Sequence, residues 1–156
     1  APTRLVVRDV FMHPESAEEL ERLDTELPYT EVKWEAAIDR VTSAAVPRQI
    51  ERVPAGTLFQ GMEITFNLYY PEDVERLLTV VEAMQLLEED YLGGMGSRGS
   101  GKIAFQNLAV RSRRVRDLAE ETWPQKATSV ADILKHREDL ARWVRRFLFE
   151  DRGGSP

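Results

Sequence analysis

Met62, Ile64, Phe66 and Leu68 alternate with Glu63, Thr65 and Asn67, the period of two that turns one face of a strand toward a core. Directly after them, Val74, Leu77, Leu78, Val81, Met84, Leu87 and Tyr91 recur at helical spacing. This predicts a helix over 71–91, opened by Pro71 with Glu72 and Asp73 in its first turn. Residues 4–11 are short and dense in Val, Leu and Phe, and predict a mostly buried strand. After Pro14, the spacing of Leu20, Leu23 and Leu27 predicts a short surface helix within 15–26. Residues 103–110 predict a further strand, bulged at Gln106 and Asn107 where the apolar alternation changes phase. Val130, Ile133, Leu134, Leu140, Trp143, Val144, Phe147 and Leu148 predict an amphipathic C-terminal helix. Ser129 and Asp132 supply its capping box, and Gly153 and Gly154 its close.

Residues 29–56 behave differently. Val32, Trp34, Ile38, Val41, Val46, Ile50 and Val53 are scattered among Lys33, Arg40, Arg48 and Arg52 without a stable period, and Pro47 and Pro54 interrupt any long element. Such a stretch exceeds ordinary connections, yet its apolar content argues against disorder. An extended β-hairpin leaving the domain is expected.

Composition narrows the chemistry. The 156 residues are 42% hydrophobic and 31% charged, as expected of one soluble globular domain with an appendage. No apolar run approaches the roughly 20 residues of a membrane-spanning helix, and a cytoplasmic protein is the default expectation. With no cysteine, disulfides, zinc–thiolate sites and thiol nucleophiles are excluded. Two histidines, His13 and His136, exclude a multi-histidine metal cage. The net charge of −6 conceals a division: residues 1–100 are acidic and residues 101–156 basic. That balance opposes indiscriminate coating of nucleic acid but permits a local anion-binding surface.

Between the predicted helix and strand lies Gly93-Gly94-Met95-Gly96-Ser97-Arg98-Gly99-Ser100-Gly101-Lys102. Glycines permit positive φ and close backbone approach. Beside Ser97, Arg98 and Lys102, exposed N–H groups form a candidate nest for phosphate oxygens. Gly96 to Lys102 also fits the start of a P-loop. However, Ile103 stands where the magnesium-binding hydroxyl belongs, and the order is helix–loop–strand rather than strand–loop–helix. Contact with a polyanion is the better reading.

Two segments together carry a resemblance. EAAIDRVTSAAVPRQIERVPAG at 35–56 and LLEEDYLGGMGSRGSGKIAF at 86–105 resemble the thumb and glycine-rich loop of the backbone subunit of type III-A, or Csm, CRISPR–Cas effector complexes. That subunit is a member of the RAMP superfamily. RLVVRDVF at the start and YTEVKW at 29–34 fit the same pattern in the same order, so the resemblance covers about 4–110.

The resemblance implies an α+β fold: a ferredoxin-like, RRM-type RAMP core over 1–110 with a thumb inserted at about 29–56 and the glycine-rich loop at 93–101. A basic segment and C-terminal helical extension follow over 111–156. It implies that CRISPR RNA, target RNA, neighbouring copies of the chain and other effector subunits are the partners. Gly94, Ser97, Arg98, Gly99 and Lys102 are then expected at the guide backbone, and Lys33, Ile38, Arg40, Arg48, Gln49 and Arg52 on or near the thumb. A basic, aromatic-bearing excursion with a phosphate-friendly loop also suits a single-strand RNA site.

Family members often carry polar residues where Ala36 and Ala37 stand, and an aromatic where Ser100 stands. The family's first strand and helix, with the aspartate of its metal-dependent target-RNA cleavage, precede the segment that begins here. No catalytic residue is therefore assigned. No cofactor is identified in this chain, and magnesium is implied only through the family. Asp39 is expected to be structural, paired with Arg40, and an isolated chain is expected to associate with others through unpaired strand edges.

Trp34 and Phe59 suit either base stacking or the core, and the core is the expectation for strand aromatics; Trp143 is expected in helix packing. Arg111, Arg113, Arg114 and Arg116 form a basic run that suits either RNA or solvent, and Glu88, Glu89 and Asp90 are expected to face solvent. The alternatives to a guide-holding subunit are a CRISPR RNA-processing endoribonuclease of the same superfamily, which wants a suitably placed histidine, and a purely structural assembly module.

Overall fold

The computed structural model describes residues 3–23 and 27–150, and the chain divides into two units, one ending at Thr65 and one beginning at Phe66. The fold is mixed α+β. Its strands form four two-stranded ribbons among the described residues.

In the first unit, β1 (Leu5–Val7) pairs with β6 (Ile64–Phe66), and β2 (Phe11–Met12) runs antiparallel to β5 (Phe59–Gln60). The single strand expected over 4–11 is thus two short strands, and Phe11 stays 70% exposed. Leu5, Val7 and Val10 are exposed as well, so this segment is not mostly buried. Of its apolar side chains only Val6 is half-buried, whereas a buried strand needs both neighbours and a packed face. The alternation at 62–68 survives only as the three residues of β6, half-buried.

Helix α1 (Pro14–Arg22) begins where Pro14 predicts. His13 caps it, its Nδ1 accepting from the Glu15 amide at 3.3 Å. Ser16 and Leu20 are its buried residues. The Ser16 hydroxyl accepts from the Leu58 amide, and the His13 amide donates to the Leu58 carbonyl. Residues 24–26, where the predicted helix ran on, lie outside the described residues.

The excursion at 29–56 is a hairpin of β3 (Glu31–Ile38) and β4 (Ala45–Arg52). Eight residue pairs, from Glu31 opposite Arg52 to Ile38 opposite Ala45, fix an antiparallel register.

In the second unit, α2 (Asp73–Glu89) realises the most regular pattern in the sequence. Asp73 is buried and organises its start: one carboxylate oxygen accepts from the Tyr69 and Tyr70 amides, and the other from Arg76. The expected C-terminal helix is instead α3 (Val130–Lys135) and α4 (Arg137–Arg145), followed by a π-helical turn, Arg146–Glu150. The break falls at His136, whose non-helical backbone ends one helix and starts the next. The capping box forms as predicted, with Ser129 and Asp132 satisfying each other's backbone amides. Gly153 and Gly154 lie outside the described residues.

Val74, Leu78 and Val81 of α2 pack with Trp123, Val130, Ile133, Leu140, Trp143 and Val144 in one buried cluster. Trp143 is packing, as expected, and its Nε1 donates to Glu121 at 3.1 Å. Burying that indole without a partner would cost a desolvated donor.

No strand forms over 103–110. Its amides are spent elsewhere: Phe105 donates to the Glu88 carboxylate and Asn107 to the Thr128 carbonyl. Phe105, Leu108 and Val110 still pack against the helical cluster. The phase change at 106–107 is real, since Asn107 sits at φ 55°, but it breaks the strand rather than bulging it. The ribbon that follows is β7 (Arg111–Arg113) against β8 (Glu120–Thr122).

Candidate nucleic-acid interface

The hairpin has two unlike faces, because side chains on a strand alternate. One face carries Glu31, Lys33 and Glu35 from β3 with Arg48 and Arg52 from β4. Glu35 accepts Arg48 at 3.3 Å and lies 3.7 Å from the Lys33 ammonium, while Arg52 pairs with Glu31. Three cations expected at RNA are therefore engaged with carboxylates of their own hairpin. The other face carries Val32, Trp34, Ala36 and Ile38 opposite Glu51, Gln49, Pro47 and Ala45. Trp34 is 60% exposed there and Ile38 is exposed beside it. Neither Trp34 nor Phe59 is a core aromatic, since the unit holding them buries only Leu20 among its described apolar residues. The period-two signal at Val32, Trp34, Ala36 and Ile38 was present in the sequence, masked by small alanines.

At the tip, Asp39 accepts from the Val41 and Thr42 amides, both at 2.8 Å. Those donors, Thr42 foremost, hold its carboxyl below the ordinary aspartate value. Its structural role is that of a turn cap, not the expected ion pair with Arg40. Ser43 takes a left-handed φ of 57° to complete the turn, and Arg40 and Val41 project into solvent, Val41 with 93% of its surface exposed.

In the second unit, residues 92–101 form a closed loop. The Leu92 amide donates to the Gly101 carbonyl at 2.8 Å. A single 3-10 turn, Gly96–Arg98, sits at its centre between left-handed Met95 and Gly99. The Arg98 and Ser100 amides donate to Met95, and Gly99 to Gly96. A Cβ at Gly96 would fall 2.0 Å from the Tyr91 ring, and one at Gly101 would fall 2.3 Å from the Leu92 carbonyl. These two glycines let the loop seat on the end of α2, whereas around Gly94 there is open space. Asp90, Tyr91, Gly96, Ser97, Gly99, Ser100 and Lys102 line a shallow recess of about 310 Å³.

Lys102 is exposed and reaches back to the end of the helix. Its Nζ donates to the Glu88 carbonyl at 2.5 Å and lies 3.4 Å from that of Glu89. Glu88 in turn accepts the Phe105 amide at 2.6 Å through its side chain. The sequence pattern alone does not mark Tyr91 and Glu88 as parts of the loop. The available signal was a bulky aromatic just before a glycine run, where close approach requires a missing Cβ.

The basic run divides. Arg114 lies over the Phe147 ring at 4.7 Å and donates to the Phe147 carbonyl and to Asp117, a packing role. Arg111, Arg113 and Arg116 are exposed, with Arg111 facing Glu120 and Arg116 facing Asp117. His13 and His136 both sit at helix ends, the latter with Nδ1 3.0 Å from the Asp132 carbonyl. Among the described residues no three His, Asp or Glu side chains group as a metal set.

No protein-family model matches the chain. It is 43% identical over 132 residues to the CRISPR system Cms endoribonuclease Csm3 of Methanothermobacter thermautotrophicus, spanning 83% of this chain and 53% of that protein. The protein of the same name in Methanocaldococcus jannaschii is 41% identical over 112 residues, 70% of this chain and 42% of the relative. That of Streptococcus thermophilus is 44% identical over 108 residues, 67% and 47% of the two chains. The class these similarities define is that of CRISPR-associated RAMP subunits. Within it, the chain belongs to the Csm3 family. It spans about half the length of the curated relatives it matches.

Proposed function

We propose that the chain is part of an RNA-binding backbone subunit of a type III CRISPR ribonucleoprotein. In this reading loop 93–102 holds the backbone of CRISPR RNA, and the β3–β4 hairpin is the thumb that enters the guide–target duplex. Target RNA, neighbouring copies and other effector subunits are the remaining partners, and the ribbons of the first unit belong to a ferredoxin-like RAMP core. The observation that carries the reading is a coincidence: the chain matches Csm3 endoribonucleases over two thirds or more of its length, and it bears a hairpin that exposes Trp34, Ile38 and Val41 rather than burying them. Exposed apolar groups on a protruding ribbon suit base stacking and wedging.

Arg98, Ser97 and Gly99 are the loop residues assigned to phosphate, and Arg40 the hairpin cation. Lys33, Arg48, Gln49 and Arg52 shape and flank the thumb. No described residue is assigned to bond cleavage. The cap roles of His13 and His136 weigh against a histidine-centred RNA-processing reaction.

The test is single-stranded RNA binding by fluorescence anisotropy over a salt series. Each phosphate contact on a single strand contributes about 0.7 to the slope of log K against log salt. Binding that weakens steeply with salt, with a shallower slope in Arg98→Ala, is the expected result. A folded chain that binds no RNA defeats the proposal and leaves the assembly module.

A further inference from the structure

We propose that Lys102 is a positioning residue that clamps the glycine-rich loop to the C-terminus of α2, rather than a phosphate contact. The inference rests on reading this loop as the RNA cradle, and it reassigns one residue of that cradle. Helix α2 ends in Glu88, Glu89 and Asp90 and has no basic residue in its last turn. Acidic groups there oppose the negative end of the helix dipole, where cations are favoured. Its final carbonyls also lack intrahelical donors. Lys102 supplies both missing elements from beyond the loop, as its ammonium donates into the Glu88 and Glu89 carbonyls.

The clamp is one of several fastenings converging on the same turn. The Leu92 amide holds the Gly101 carbonyl, Glu88 holds the Phe105 amide, and the Tyr91 ring lies under Gly96. Lys102 follows Gly101 directly, so its tether fixes the far end of the loop against the near end. Two of the ammonium's three donors go to carbonyls of the helix end, whereas Ser97 and Arg98 sit on the 3-10 turn at the loop's centre. The division of labour is then binding at the apex and anchorage at the base.

The experiment compares the 156-residue chain with Lys102→Met, Lys102→Arg and Arg98→Ala. It measures amide hydrogen exchange and the salt dependence of anisotropy with a single-stranded RNA. In Lys102→Met, the Leu92 and Phe105 amides are expected to exchange faster while the Leu140 amide in α4 is unchanged. RNA affinity should fall about tenfold, the ratio set by losing one hydrogen bond to a charged group, with the salt slope unaltered. Arg98→Ala should lower the slope by about 0.7, and Lys102→Arg should restore both exchange and affinity. Unchanged exchange at Leu92 and Phe105 overturns the clamp. So does a salt slope in Lys102→Met reduced as in Arg98→Ala, which makes Lys102 a phosphate ligand. If the unmodified chain binds no RNA, the cradle reading fails, and faster exchange in Lys102→Met still supports the clamp.

Discussion

Trp34 stands directly across from Gln49 in the hairpin register, on the face opposite the ion pairs of Glu35 and Arg48. Trp123 and Trp143 are buried in the other unit, so among the three tryptophans Trp34 alone is open to solvent. Acrylamide should quench one accessible emission component in the unmodified chain, and Trp34→Phe should remove it. Trp34→Ala should leave thermal stability within about 0.5 kcal/mol, as for a surface position. RNA affinity should weaken by about 1–3 kcal/mol, the range for a base stacked on an aromatic. Unchanged affinity in a folded variant would take Trp34 out of the interface.

Asp39 makes the hairpin tip sensitive to acid. The Thr42 and Val41 amides lower its carboxyl in the folded chain, so its contribution to turn order is fully present above the unfolded value of about 3.9. It is lost as pH falls through the lower folded value. Exchange at the Val41 and Thr42 amides should show no loss of protection attributable to Asp39 down to about pH 4 and a loss below it. Asp39→Ala should show that loss at neutral pH, whereas Asp39→Asn, which keeps an accepting oxygen, should retain most protection.

Gly96→Ala tests the seating of the loop on Tyr91. The added methyl overlaps the ring, so either the ring or the loop must move. RNA binding is expected to weaken in Gly96→Ala and to recover in the double variant Gly96→Ala with Tyr91→Ala. Failure of the second change to rescue the first would assign the defect to backbone conformation.

Leu140 is 1% exposed in the cluster that joins α2, α3 and α4. Leu140→Ala should destabilise the chain by about 2–5 kcal/mol, read from urea denaturation. A cost below about 1 kcal/mol would mean that Leu140 is not buried in solution, because even full collapse around the cavity leaves the lost transfer free energy of the deleted atoms.

Where the sequence was legible, the controlling interaction was local. α2 follows from its apolar spacing and Pro71, α3 from the reciprocal bonds of Ser129 and Asp132, and the hairpin from the length and composition of 29–56. The chain's own periodicity misled where hydrogen-bond partners come from far along it. Residues 103–110 alternate like a strand and half-bury the expected side chains, yet their amides go to Glu88 and Thr128. Apolar content at 4–11 does not amount to burial, since Val7 and Phe11 lie open. In the site, glycine spacing announced a specialised loop, but only the fold revealed that Lys102 faces the helix.

The charged face of the hairpin also selects its own alignment. A slip of one residue would set Arg48 across from Trp34 or Ala36, mixing the apolar and charged faces. A slip of two would keep the faces apart, but it would bring Arg48 opposite Lys33 in one direction and Arg52 opposite Lys33 in the other. Like charges directly opposed are unfavourable. Lys33 thus guards against both even-numbered misalignments, and a ribbon with little core beneath it keeps a single register by repulsion as well as by attraction.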